Sequence, residues 1–474
     1  MITNKKAPTP QSSTLVPDSD VGSSFNFKLS LMICYVAIPC SISQQLLNAK
    51  LLIFLTFAFI MNAGVITVYI DRPNYLEKLI RYKDKDIVKI ITGIRRCGKS
   101  VLLNELYYNY LLKNGVGADH IIKLSFDMQK WQDLRDPEKL YHYIENQIAD
   151  ESRYYIFLDE IQMVDGFEEV VNGIKAEFNS DVYITGSNSK LLSGDINTIF
   201  RGRGIEIKVF PLSFSEFYCV KGSTDKTAAF NEYIMYGGLP YAVLETEAAD
   251  KAAYLKMICD TVVSRDIIDR YNIKDEALFS AVIDLLCSSI GSYVSASKIA
   301  NTLKSNGYKS VDNETVSRYL SYMCDAFLFY KVDRYDIKGK EYLKTQNKYY
   351  ICDMGIRNTK INFRQIEMTH IIENIVYLEL IRRGYVVDIG KNREKEIDFL
   401  VKDLSGEQYY IQVSYSIEDP QTKDREISAF YNLDDGYKKI IITMDNNPFT
   451  MLERGYRKLH LFDFLLNNDS LKEV

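Results

Sequence analysis

Metal-ligand pairs are scarce in this chain: its eight cysteines form no CxxC pair, and only four histidines are spread over 474 residues. No zinc site can be drawn from that supply, and no pairing rhythm suggests a disulfide framework. The cysteines (34, 40, 97, 219, 259, 287, 324 and 352) read as reduced thiols of a cytoplasmic protein. Excess positive charge is also missing. Lys and Arg number 58 against 63 Asp and Glu, a net charge of −5, so the chain as a whole carries no nucleic-acid footprint. A local basic face stays open. What is present is globular: 47% apolar and 26% charged residues, with length for two to four domains.

Between Gly93 and Ser100 the chain reads Gly-Ile-Arg-Arg-Cys-Gly-Lys-Ser, a complete GxxxxGK[ST] loop. The apolar run over residues 87–92 predicts a buried strand before it. Val101, Leu102, Leu103, Leu106, Tyr107 and Tyr110 recur at helical spacing after it. Strand, glycine-bounded loop and helix is the setting a phosphate site needs, because loop N–H groups and the helix dipole both face an anion. Gly93, Ile94, Arg95, Arg96, Cys97, Gly98, Lys99, Ser100 and Val101 are therefore the candidate ATP-binding residues. Lys99 would reach the β- and γ-phosphates, and Ser100 would ligate Mg²⁺.

Some 60 residues on, the strand-like run Tyr154-Tyr155-Ile156-Phe157-Leu158 ends in Asp159-Glu160. Asp159 is the second candidate Mg²⁺ ligand, and Glu160 the carboxylate that polarises an attacking water. A third apolar run, residues 181–185, leads to Ser187 and Asn188, either of which could touch the γ-phosphate or the water. Arg201 and Arg203 follow in a Gly-rich loop. They are candidates for transition-state charge, in cis or across a subunit interface, with solvated loop arginines as the plain alternative.

Together these segments resemble the prokaryotic AAA-like (P-loop, ASCE-type) ATPases that carry a C-terminal domain of unknown function. Further matching stretches are Leu158 to Gln162, Thr185 to Leu192, Arg201 to Arg203, Pro211 to Phe217, Tyr236-Gly237-Gly238-Leu239-Pro240 and Val263-Ser264-Arg265-Asp266-Ile267. The likeness runs from about Tyr69 to the C-terminus. It implies ATP binding and hydrolysis with Mg²⁺, and no assigned biological substrate.

The expected fold is α/β: a P-loop parallel sheet over 67–217, a helical lid over 218–275, a winged-helix-like domain over 276–350 and a C-terminal α/β restriction-endonuclease-like domain over 351–474. Residues 1–66 form an extension, Ser/Thr/Pro-rich at first and then nearly free of charge. Leu51 to Ile70 meets the length of a membrane helix, but Val68 to Pro73 resembles the family's starting segment and shortens the free run to about 16 residues. The preferred reading is a cytosolic enzyme with an unusual extension or an upstream start-site artefact; tethering through residues 29–66 is the alternative. A signal peptide does not fit, the apolar region lying too far in.

In the winged-helix-like part, Thr315, Ser317, Arg318 and Tyr322 would line a recognition face, with Lys338 and Lys340 in the wing. Ten Lys/Arg against seven Asp/Glu over 277–350 is only mildly basic, so an interdomain adaptor is the preferred reading and DNA contact the alternative. The last segment resembles the PD-(D/E)XK nuclease fold. Asp398 and Gln412 match its metal positions, with Glu373 in support, but Ser414 stands where the lysine should be. A hydroxyl cannot supply a cation to the nucleophilic water, so the expectation is a degenerate, non-cleaving site. The function expected overall is an ATPase that controls a nucleic-acid partner, a protein partner or a second copy of itself. Its rivals are a nucleotide-gated switch with little turnover and an ATP-regulated DNA nuclease.

Overall fold

Five strands build the first sheet, the central ones buried too thoroughly to alternate with polar residues. The computed structural model describes residues 35–38, 67–187, 200, 202–364, 367–433, 435–446 and 450–473. Strands β1 (Tyr35–Ile38) and β2 (Thr67–Ile70) pair in parallel. The main parallel sheet follows, with β3 (Val88–Thr92), β4 (Ile121–Ser125), β5 (Tyr154–Asp159), β6 (Ser180–Gly186) and β7 (Gly204–Lys208) in the spatial order β4-β5-β6-β3-β7. Every residue of β3, β5 and β6 is buried, as expected of a sheet covered on both faces. Side chains alternate between two cores. Ile91, Tyr155, Phe157 and Tyr183 join one, and Ile90, Ile156, Leu158 and Ile184 the other. Because all five strands are parallel, the loop after Thr92, the Asp159 carboxylate and the tip of β6 emerge along one edge.

Four helical segments come next: Phe214–Lys221, Lys226–Tyr236, Pro240–Leu244 and Ala248–Thr261, the last continuing as a π-helical stretch, Val262–Asp269. Helices Glu276–Ser288, Ala296–Ser305 and Asn313–Asp325 follow. Asp275, Ser295 and Asp312 cap them by accepting from the third backbone N–H on.

Strands β8 (Tyr293–Val294), β9 (Phe329–Asp336), β10 (Glu341–Ile351), β11 (Val386–Asn392), β12 (Lys395–Lys402), β13 (Gln408–Val413), β14 (Lys438–Thr443), β15 (Thr450–Met451) and β16 (Arg457–His460) form a single sheet, ordered β15-β16-β14-β13-β12-β11-β9-β10-β8. The expected border at 350/351 falls inside β10. Parallel pairing of β11 with β9, from Ile389 opposite Arg334 to Lys391 opposite Asp336, carries the hydrogen bonding across it. Periodicity reveals strands but not which strands pair.

One continuous core also joins the first sheet to the C-terminal part. Phe462, near the end of the chain, stacks on Phe214 with ring centroids 5.7 Å apart, and Phe210 meets Tyr330 at 5.8 Å. Of the expected recognition face, Ser317 and Arg318 are exposed, whereas Tyr322 stacks on Tyr271 at 3.7 Å and is occupied. The extension over 1–66 lies outside the described residues apart from β1. No helix of the described residues is long and apolar enough to cross a membrane.

Candidate nucleotide site and a second carboxylate cluster

The loop can be built only with glycine at its start. Gly93 has φ +143°, and a Cβ there would come within 2.0 Å of the Val209 carbonyl oxygen. Below the loop, Arg72 fastens it from the side. Its Nε donates to Glu216 Oε1 (2.7 Å), and its terminal nitrogens donate to Cys97 O (3.2 Å) and Phe210 O (2.9 Å). Glu216 is held in turn by a capping box with Ser213. The Pro211-to-Phe217 stretch thus buttresses the phosphate loop. Cys97 is fully buried and donates from Sγ to Val209 O (3.3 Å); burial pushes its thiol up and leaves it unreactive.

Lys99, 3% exposed, donates to the carbonyls of Gly93 (3.0 Å) and Ile94 (3.1 Å). Ser100 Oγ donates to Asp159 Oδ1 at 3.0 Å, so the hydroxyl and carboxylate expected to share Mg²⁺ already stand together. The side chain of Thr185, at the tip of β6, donates to Asp159 and accepts from the Glu160 N–H at 3.0 Å. Sequence reasoning quoted Thr185 without a role. Its place follows from β6 lying between β3 and β5. Burial raises the Asp159 carboxyl above the ordinary range, and Thr185 and Ser100 oppose the rise.

Glu160 has φ +55° and ψ +45°, a left-handed conformation uncommon for a glutamate and held here by its surroundings. Ser187 Oγ lies 3.4 Å from Glu160 Oε2, and Gln162 also donates to that oxygen. Two buried acceptors beside the carboxylates, Asn104 Oδ1 and Gln162 Oε1, have no partner. Such orphans fit a site that takes up water or a hydrated cation. Among the described residues no group of three or more His, Cys, Asp or Glu could hold a metal.

Arg203 is not brought to this edge. Val88 N, at the start of β3, donates to Arg203 O, and the Arg203 guanidinium faces Asp86 at 3.8 Å. It therefore sits at the opposite end of the sheet, about 15 Å of strand from the loop. Asn188 and Arg201 lie outside the described residues.

The second cluster forms where β10, β12 and the helix Met368–Arg382 meet. Lys348 Nζ is 2.7 Å from Glu373 Oε1 and 2.5 Å from Glu396 Oε1, and the Tyr350 hydroxyl donates to Glu373 Oε1 at 2.6 Å. Burial opposes charge on Lys348, but Glu373, Asp398 and Glu396 hold it above the ordinary lysine range. Burial and the Glu373 charge push Asp398 well up. Asp398 Oδ2 accepts from Val413 N (2.8 Å), and Gln412 is spent between Asp398 N and Glu426, both at 2.7 Å. Ser414 donates to Ser416 O at 3.0 Å. Beside them opens a cavity of about 420 Å³, lined among others by Tyr293, Lys348, His370, Glu373, Glu396 and Asp398. Lys348 was missed in the sequence, where it is one more lysine in a run of strand residues.

Residues 85–218 match the family model described as an AAA domain, and residues 227–367 match a domain of unknown function (DUF8612). An uncharacterized protein of Haemophilus influenzae is 40% identical over 402 residues, covering 84% of this chain and 98% of its own. Another, from Methanocaldococcus jannaschii, is 30% identical over 396 residues, covering 79% and 85% respectively. The chain belongs to their family, and its 85–218 segment is similar to AAA domains. Among solved structures it is similar to a Walker-type ATPase of Pyrococcus abyssi, at 14% identity and TM-score 0.39, covering 61% of this chain and 95% of that one. The AAA domain accounts for the parallel sheet and the phosphate loop. The unknown-function match covers the helical segments from Lys226–Tyr236 onward and β8 to β10, and runs past the helix Met354–Lys360.

Proposed function

We propose that this AAA protein is an Mg²⁺-dependent ATP hydrolase. The reading rests on one observation: Lys99, Ser100, Asp159, Thr185 and Glu160 converge on a single sheet edge, hydrogen-bonded among themselves and to neutral backbone groups. Among the described residues Lys99 is held by two carbonyls, weaker partners than a phosphate, so it can turn to the β- and γ-oxygens. Ser100 and Asp159 would hold Mg²⁺, which neutralises charge on the phosphates when bound. Glu160 orients and deprotonates water, with Ser187 fixing its carboxylate. Arg203, remote in its own chain, could serve only across an interface between copies, and Arg201 and Asn188 keep their proposed roles from the sequence.

The rest of the chain is proposed to be what ATP moves. The helical segments form the lid, and the 276–350 part is a winged-helix-like unit that meets DNA or a protein. The nuclease-like part is a non-cleaving recognition unit, and the chain works where ATP is, in the cytosol. A nucleotide-gated switch is the second reading, favoured by the core shared between the AAA domain and the C-terminal part. Titration calorimetry and a turnover assay separate them. Lys99→Ala should lose most ATP affinity, and Glu160→Gln should keep affinity but lose about a hundredfold in turnover. Unchanged affinity in the first variant would end the ATP reading. Wild-type protein that binds ATP without turnover would leave the switch.

A further inference from the structure

Arg95 is the third residue of the phosphate loop, yet its guanidinium is engaged elsewhere. Nε lies 2.9 Å from Asp266 Oδ2, and a terminal nitrogen 2.8 Å from Oδ1, a two-pronged pair joining residues 171 positions apart. Asp266 is 7% exposed and sits in the π-helical stretch Val262–Asp269. It belongs to the Val263-to-Ile267 run that resembles the family and that nucleotide chemistry has not used. Among the described residues no other cation pairs with it. The charges of Glu160 and Asp127 add to that of Asp266 in holding the guanidinium charged.

A guanidinium fork fits a phosphate as well as it fits a carboxylate, and a terminal phosphate brings more negative charge than Asp266 does. Once Arg95 leaves, Asp266 is a nearly buried carboxylate with no counter-ion, a state that must relax by moving towards water or taking a proton. The π-helical winding around it is an irregularity of the sort that concentrates at functional sites and that a small shift can reset.

We infer that Arg95 distinguishes a nucleoside triphosphate from a diphosphate by exchanging Asp266 for the γ-phosphate, and that this exchange releases the Val262–Asp269 segment. The inference rests on the ATP reading above and adds to it the contact through which occupancy reaches the unknown-function domain. A triphosphate and a diphosphate share the β-phosphate contacts of Lys99. Only the triphosphate presents the group that competes with Asp266.

The test uses the full chain, Mg²⁺, ADP and a non-hydrolysable ATP analogue, with affinities from calorimetry and backbone hydrogen exchange followed over residues 262–269. Arg95→Ala should weaken the analogue at least tenfold and ADP by no more than about twofold, the scale of one lost charge-assisted phosphate contact. Asp266→Asn should strengthen the analogue several-fold and leave ADP alone. In wild-type protein the analogue, but not ADP, should speed exchange over 262–269. Equal weakening of both nucleotides in Arg95→Ala, or exchange that ignores the analogue, would overturn the clasp. Wild-type protein that binds neither nucleotide would instead sink the ATP reading. The exchange measurement needs no variant, so misfolding of either substitution leaves the question answerable.

Discussion

Lys99 and Lys348 are both 3% exposed and both lie near a pair of acids, yet they make opposite sites. Lys99 points at two backbone carbonyls, while Asp159 is occupied by the hydroxyls of Ser100 and Thr185 and Glu160 by the side chains of Gln162 and Ser187. Its charge is available to an incoming anion. Lys348 sits directly on Glu373 and Glu396, and its charge is spent. The two regions teach that residue type does not make a site open or closed. What matters is whether the buried cation already has its anion. The first site leaves a cation open to an anion; the second has supplied its own counter-ion.

Breaking the closed cluster should have the largest effect. Lys348→Ala leaves Glu373 buried without its cation and should cost about 3–5 kcal/mol in urea unfolding at neutral pH. A loss under about 1 kcal/mol would mean the cluster is solvated.

A third buried carboxylate sharpens the contrast, because among the described residues Asp353 makes no direct ion pair and is held by backbone N–H groups. It accepts from Gly238 N (2.7 Å) and Ile356 N (3.2 Å), and burial raises it to about 6, whereas Lys348 draws the equally buried Glu373 below its usual value. The two should respond to pH with opposite signs. Asp353 binds its proton more tightly when folded, so its contribution is full below about pH 4 and is lost as pH rises through about 6, roughly 3 kcal/mol for a two-unit rise. Glu373 contributes above the ordinary carboxylate range and loses its share as pH falls. Comparing wild type with Asp353→Asn from pH 4 to 7, the stability difference should move towards the variant by up to about 3 kcal/mol. A difference that stays flat would place Asp353 outside its buried setting.

The smallest expected effect is none at all. With Lys348 on the acids and Gln412 and Ser414 turned to protein partners, Mg²⁺ or Mn²⁺ should not make the protein cut plasmid DNA. Nicking that is lost in Asp398→Ala and retained in Lys99→Ala would show that the second cluster is open.

The two sites were unequally legible beforehand. The phosphate loop and Asp159-Glu160 could be read because their chemistry is local: each lies at the end of one apolar strand, and neighbours in sequence are neighbours in the site. Thr185 was quoted but not understood, since its role depends on β6 lying between two other strands. Arg203 looked like a partner for the phosphates, and parallel pairing with β3 carries it to the wrong end. Lys348 was invisible because it reaches Glu373 and Glu396 from 25 and 48 positions away.

The sequence by itself therefore determined the apolar strands, the glycine-bounded loop, the acids at the end of β5 and the caps that start the later helices. Each is set by backbone sterics and short-range periodicity. Tertiary structure alone decided that β9 and β11 share a sheet, that Arg72 and Glu216 brace the loop, and that Arg95 reaches across to Asp266. It also decided that the second acidic cluster is closed by a lysine from another strand. Strand register and buried charge pairing are settled by which surfaces exclude water together, and no local stretch of chain carries that information.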